Sequence, residues 1–243
     1  MFLWPVVPLC ERQLRDVNPD DILNGGLYRR CNIYKGGGGY DKFEAIYKKR
    51  FGYEGALNEQ FVVQLKGCPL KCPYCYVTQD GIHGEPVWID AETIVEDFEV
   101  TGYPVFHLMG GAPALYLDYW TEILAELPEG AVFHSDFLLQ EGLYRRSVCK
   151  EVAEYKNQLH AVSIKGGDAQ EFETNTGVAA NIDMLWHNMN VLAECEVPFY
   201  LTYTGMTAES IAHFNEGVIK RFGKQILEDS FSIDIVQYEA LKD

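Results

Sequence analysis

The sequence predicts an α/β chain built on an open, partial (β/α)6 barrel of the TIM-like type, preceded by an N-terminal extension. Three observations carry this expectation. Six apolar runs rich in β-branched and aromatic residues recur between residues 61 and 236. Helical patterns separate them, and strands alternating with helices predict a parallel sheet with right-handed crossovers. The 243 residues suit one such domain, and six units are too few to close an eight-stranded barrel.

The elements follow in chain order. The opening MFLWPVVPLC is apolar but short, lacks a basic start and holds two prolines, so it reads as a segment packed on the core rather than a signal peptide. Gly36 to Gly39 lack Walker spacing and read as a loop, and residues 40–54 look helical and basic. The first strand is 61–66 (FVVQLK). Asp90 is a good N-cap for a helix over 90–100 that sets Ile94, Val95 and Phe98 on one face. A second strand, 103–109 (YPVFHLM), precedes a helix over 117–127 with Leu117, Trp120, Ile123, Leu124 and Leu127 at helical spacing. Strands at 131–136, 159–165, 197–203 and 230–236 then alternate with helices at 142–157, 181–195 and 207–223. In such barrels chemistry gathers at the carboxyl ends of the strands.

Charge narrows the function classes. The formal net charge is −16, which repels phosphate backbones and argues against nucleic acid as a partner. The distribution is uneven: Arg29, Arg30, Lys35, Lys42, Lys48, Lys49 and Arg50 face only Asp41 and Glu44 within residues 25–50. No apolar run approaches the roughly 20 residues that span a bilayer, so no membrane partner is expected. Seven cysteines, three of them clustered, do not suggest a disulfide framework, and a cytoplasmic location is expected.

The cluster is Cys68-Pro-Leu-Lys-Cys72-Pro-Tyr-Cys75, directly after the first strand. Soft thiolates select zinc, copper(I) or iron–sulfur clusters. A structural zinc site takes four ligands, usually from two separated pairs, and Cys10, Cys31, Cys149 and Cys195 are isolated. A four-iron cube normally takes four thiolates; with three, one iron stays open to a chelator. A zinc knuckle and three unrelated thiols are the other readings of this spacing.

The C-x3-C-x2-C spacing resembles the signature of the radical S-adenosylmethionine (SAM) superfamily. The resemblance implies a [4Fe–4S] cluster on Cys68, Cys72 and Cys75 whose open iron binds the amino and carboxylate groups of SAM. It implies reductive cleavage of SAM to a 5′-deoxyadenosyl radical that removes a hydrogen atom from the substrate. Tyr74 matches an aromatic position that packs near the adenine. Gly110-Gly111-Ala112-Pro113 resembles the family's G-G-E-P turn, which contacts the methionine amino group, with Ala112 where glutamate is usual. Ser135, Asp136, Ser163 and Lys165, at the ends of the third and fourth strands, match positions that bind the ribose hydroxyls and the SAM carboxylate.

Residues 162–205 are similar to glycyl-radical-enzyme activases of the pyruvate formate-lyase activating type, with Lys165, Thr176, Gly177 and Asn181 matching and Ser163 in place of an aspartate. The resemblance covers residues 61–240 and divides the chain into an extension, 1–60, and a barrel, 61–243. It implies a low-potential electron donor of the flavodoxin or ferredoxin type, for which residues 25–50 are a candidate docking patch. The substrate is a protein, such as a glycyl-radical enzyme, or a small molecule, as in 7-carboxy-7-deazaguanine synthase. An iron–sulfur electron carrier is the non-enzyme alternative. His107 and His134 lie near strand ends, within reach of a substrate, and also suit satisfied interior positions.

Overall fold

A computed structural model describes residues 1–30, 40–53, 60–75, 82–140, 142 and 144–233. Cys31, Lys35 and the glycine run 36–39 lie outside the described residues. The extension contributes strands β1 (Trp4–Val6), β2 (Ile22–Leu23) and β3 (Tyr28–Arg30) and helices α1 (Glu11–Asp16) and α2 (Tyr40–Phe51). The repeat supplies β4 (Gln60–Gln64), β5 (Val87–Ile89), β6 (Val105–Met109), β7 (Val132–Phe137), β8 (Gln158–Ile164), β9 (Phe199–Thr204) and β10 (Phe231–Ile233).

One eight-stranded sheet runs β10-β9-β8-β7-β6-β4-β3-β2. All six strands expected from the apolar runs are in it, and each neighbouring pair among them is parallel. Among the described residues the end strands, β2 and β10, do not pair with each other, so no closed barrel forms there. Sequence periodicity did not reveal β2 and β3, which add antiparallel at the β4 edge with Arg29 opposite Val62. Nor did it reveal β1, which pairs antiparallel with β5. Both sets are strands of two or three residues, too short for a period-2 pattern to register.

The crossover helices are α3 (Ala91–Thr101), α4 (Trp120–Glu126), α5 (Arg146–Ala153), α6 (Ala169–Thr176), α7 (Ile182–Glu194) and α8 (Ala208–Phe222). Asp90 caps α3 by accepting from the Thr93 N–H at 2.8 Å, and Asn181 and Thr207 cap α7 and α8 the same way. The pattern over 117–127 splits: its first residues lie in a 3-10 segment, Pro113–Tyr119, and α4 starts after Tyr119, which sits at φ −115° and ψ −1°. Helix α5 is shorter than the 142–157 pattern suggested.

Strand alternation gives the sheet two apolar faces. Phe106, Leu108, Phe133, Phe137, Val162, Ile164, Leu201 and Tyr203 meet the crossover helices in the main core. On the concave face, Val105, Val132, Leu159, Ala161, Tyr200 and Phe231 pack against Phe43, Ile46 and Tyr47 of α2. Each fully buried side chain of this kind contributes roughly 1.5–3 kcal/mol. Val105 and Val132 begin their strands, and the Tyr53 hydroxyl donates to the Gly130 carbonyl at 2.6 Å. Helix α2 therefore plugs the concave face from the amino ends of the strands and leaves the carboxyl ends for chemistry.

Candidate functional site

The cysteine loop leaves β4 on an anchored path. Leu65 N–H donates to Met109 O at 3.0 Å, Lys66 N–H to Pro5 O at 3.0 Å and Gly67 N–H to Ile82 O at 2.7 Å. Further on, Lys71 N–H reaches Thr176 O at the end of α6, 2.7 Å away. Cys68, Cys72 and Cys75 are half-buried and free of disulfides. Leu70, Ala112, Leu138 and Phe172 form an apolar wall against which Cys68 and Cys72 pack.

Burial pushes the Cys68 thiol up to about 11; the Cys72 and Cys75 sulfurs add to this, while the Leu70 backbone N–H and the Lys165 ammonium oppose it. Among the described residues no three His, Cys, Asp or Glu side chains are grouped closely enough to hold a metal ion as they stand. The donor set fits a four-iron cube with one open iron: three soft sulfurs on one short loop, sensing one another, beside an apolar wall that limits water. Cys149 is buried on α5 and Cys195 lies at the end of α7, in the main core.

The Gly110–Pro113 turn lies against the start of this loop. Gly110 and Gly111 have φ of 70° and 59°. A Cβ on Gly111 would stand 2.3 Å from the Gly67 carbonyl oxygen and 2.6 Å from that of Leu65. The glycines thus serve the close approach of the turn to the β4 end that carries the cysteines. Ala112 N–H donates to Gly67 O at 2.7 Å, and Ala112 O accepts from Leu115 N–H at 3.0 Å. The Ala112 methyl belongs to the apolar wall, where a glutamate would lose its hydration.

Lys165 and Tyr74 meet across the mouth: the Lys165 ammonium lies 5.5 Å from the centre of the Tyr74 ring. Ser163 is opposite Thr202 in the sheet, on the face shared by Ala161 and Asp136. Asp136 is half-exposed there, its Oδ2 3.7 Å from His107 Nε2. Ser135 does not join this group. Neighbouring strand residues point to opposite faces, and Ser135 shares the side of Phe133 and Phe137, which pack on Trp120. It is fully buried there, away from the mouth. Tyr74, Lys165, Asp136, Ser163 and the Gly110–Pro113 turn are brought to the carboxyl ends of the strands.

The histidines take interior positions. His134 Nε2 is hydrogen-bonded to the Tyr200 hydroxyl at 3.1 Å, and its ring lies against Phe43 of α2. Burial, then the imidazoles of His107 and His160, hold it well below the usual histidine range. His160, on the helix-facing side among Trp120, Phe133 and Phe137, is pushed down to about 3 by burial.

Sequence reasoning read α6 only through the family resemblance, and its positioning role comes from the structure. The Glu171 carboxylate accepts from Gly167 N–H at 2.8 Å, from Thr207 N–H at 3.2 Å and from the Ser210 hydroxyl. Asn175 Nδ2 donates to Lys165 O at 2.8 Å and Gly205 O at 2.9 Å, tying the ends of β8 and β9 together. A signal was available: Asp168 caps the helix through Glu171 N–H and Gly177 ends it at φ 69°.

The cationic end of α2 is elsewhere. Lys49 lies 3.1 Å from Asp229 and 3.6 Å from Glu228, and Arg50 lies 3.9 Å from Asp229. Asp229 just precedes β10, so this patch is at the amino ends, about one strand length, ~17–20 Å, from the cysteine loop.

The family model described as "Radical SAM superfamily" matches residues 62–217, more than half of the chain. The chain belongs to the radical SAM superfamily. Its sheet resembles solved radical SAM structures. Native anSMEcpe with bound AdoMet has a TM-score of 0.53 at 19% identity, over 70% of this chain and 49% of that one. Streptococcus suis SuiB bound to the precursor peptide SuiA has a TM-score of 0.52 at 16% identity, over 78% of this chain and 45% of that one. This chain spans about half the length of these structures. No curated protein matches it. Radical SAM proteins use a [4Fe–4S] cluster and SAM, and the comparisons do not single out the glycyl-radical-enzyme activases. Among the described residues no helix is long and apolar enough to cross a membrane.

Proposed function

We propose that the chain is a radical SAM enzyme that reductively cleaves SAM and abstracts a hydrogen atom from its substrate. The carrying observation is the convergence, at the carboxyl ends of parallel strands, of the cysteine loop, the Gly110–Pro113 turn and Lys165 over Tyr74. Cys68, Cys72 and Cys75 hold the cluster. When bound, the cluster supplies the electron that splits SAM into methionine and the 5′-deoxyadenosyl radical.

The chain's own residues bind and orient. Lys165 offers a compact cation to the SAM carboxylate, Tyr74 a ring face to the adenine, and the Gly110–Pro113 turn its backbone to the methionine amino group. Asp136 and Ser163 present oxygens to the ribose. Ser135, buried on the helix-facing side of β7, is left out of this reading. Leu70, Leu138 and Phe172 keep water from the cluster side. Within the extension, β2 and β3 widen the sheet and α2 plugs its amino end.

A low-potential flavodoxin- or ferredoxin-type donor in a reducing cytoplasm suits an oxygen-labile cluster. Two substrate classes compete, a polypeptide such as a glycyl-radical enzyme and a small molecule; the buried cation argued below favours the small molecule. Anaerobically reconstituted chain given SAM and dithionite forms 5′-deoxyadenosine under this reading. Intact SAM in a sample carrying a full cluster overturns it.

A further inference from the structure

We propose that Arg29 is the substrate-recognition residue, binding an oxyanion, carboxylate or phosphate, of a small-molecule substrate at the carboxyl end of the sheet. This deepens the radical SAM reading and rests on it for the chemistry; the binding itself is tested separately.

Arg29 sits on β3 opposite Val62, on the concave side of the sheet. Residues paired directly across two strands point to the same face, and Phe61 and Val63, on either side of Val62, belong to the helix-facing core. The guanidinium reaches the end of β6, where Nη2 donates to Met109 Sδ at 3.2 Å. Met109 immediately precedes Gly110 and Gly111, so this cation stands beside the turn expected to hold SAM.

The residue is only 8% exposed. A guanidinium has five N–H donors, and here one goes to a thioether, a weak acceptor. Among the described residues no carboxylate forms an ion pair with it, although the chain has 36 acidic residues. Its neighbour Arg30, on the other face, has Asp21 at 3.7 Å. Buried cations are ordinarily paired, because removal from water is otherwise uncompensated. A buried positive charge left for an incoming ligand is the arrangement an anion site requires.

A second observation on the same face agrees. Nε2 of Gln60 on β4 and Nε2 of His107 on β6 are buried without a hydrogen-bond partner. His107 is paired with Val62, the residue opposite Arg29, and has the Asp136 carboxylate 3.7 Å from its Nε2, while Gln60 begins β4 opposite Val105, so a cation and polar atoms share the concave face. The carboxylate of SAM itself has another cation available, Lys165, on the far side of the mouth at Tyr74.

The experiment uses reconstituted full-length protein without reductant, as wild type, Arg29→Met and Arg29→Lys. Succinate, phosphate and SAM are titrated separately by calorimetry at constant ionic strength, and iron is assayed in the same samples. The wild type binds one of the two anions, and Arg29→Met weakens it at least about tenfold, while SAM affinity stays within about twofold. Preference for succinate identifies a carboxylate substrate; preference for phosphate identifies a phosphorylated one. Arg29→Lys retains more phosphate than succinate binding, because an ammonium is a point charge rather than a planar fork. The ligand-free Arg29→Met protein melts no lower than wild type, since a purely structural arginine would lower Tm and an uncompensated charge does not. Wild type that binds neither anion, Arg29→Met that binds them equally, or a parallel loss of SAM affinity overturns the assignment. A sample short of iron reports failure of the cluster reading instead.

Discussion

The Lys165 ammonium lies 5.5 Å from the centre of the Tyr74 ring, joining the end of β8 to the cysteine loop that follows β4. Lys165 also opposes the upward shift of the Cys68 thiol, so its charge is felt at the cluster loop. Replacing Lys165 with methionine keeps the stem and removes the charge. The expected outcome is SAM affinity reduced by about tenfold or more, with iron content unchanged. Equilibrium binding to the reconstituted variant checks both quantities.

Gly111 is held by contact rather than by ligand. A methyl group there meets the Gly67 and Leu65 carbonyl oxygens at 2.3 and 2.6 Å, with φ at 59°. Gly111→Ala therefore lowers unfolding stability by roughly 2–4 kcal/mol, combining overpacking with backbone strain. Denaturant unfolding of the protein before reconstitution measures this without any contribution from the cluster. A loss below about half a kcal/mol contradicts the packing argument.

Buried neutral imidazoles give the fold a pH signature. His134 lies well below its usual range and His160 at about 3. Both are depressed in the folded state, so the unfolded chain binds more protons below its own histidine pKa near 6.5. Their stabilisation is present in full above that pH and is lost as pH falls towards the folded values. Each contributes a slope of about 1.4 kcal/mol per pH unit between roughly pH 6 and 5. Unfolding free energies measured across that interval are expected to fall less steeply for His160→Leu, by about one proton's worth.

The basic end of α2 is engaged with Asp229 and Glu228 at the amino ends of the strands. Neutralising Lys48, Lys49 and Arg50 therefore leaves the rate and salt dependence of cluster reduction by a flavodoxin unchanged. Stability changes by less than about 1 kcal/mol, as exposed ion pairs contribute little. A several-fold slower reduction would restore this patch as the donor's dock.

Much of this architecture was legible in the sequence. The runs at 61–66, 103–109 and 131–136 are apolar because parallel strands are covered on both faces, and Asp90, Asn181 and Thr207 marked helix starts that the structure confirms by their side-chain bonds. The cysteine spacing marked the site because three thiols in one loop have few other uses. The misses share a cause. Strand direction was readable from His134-Ser135-Asp136, but which of the three faces the mouth depends on register, and Ser135 fell on the wrong side. Ala112 looked like a lost ligand; its fit against Leu70 and Phe172 is tertiary. Arg29 counted as one charge in a basic stretch, and its separation from Arg30 across the sheet appears only when β3 pairs with β4.

The central claim is that one iron is left open by the protein and taken by SAM. The most direct measurement is electron paramagnetic resonance of the reduced, anaerobically reconstituted chain with and without SAM, alongside iron and zinc analysis. The account predicts about four irons per chain and a spectrum that changes when SAM is added. A spectrum indifferent to SAM, or zinc in place of iron, contradicts it.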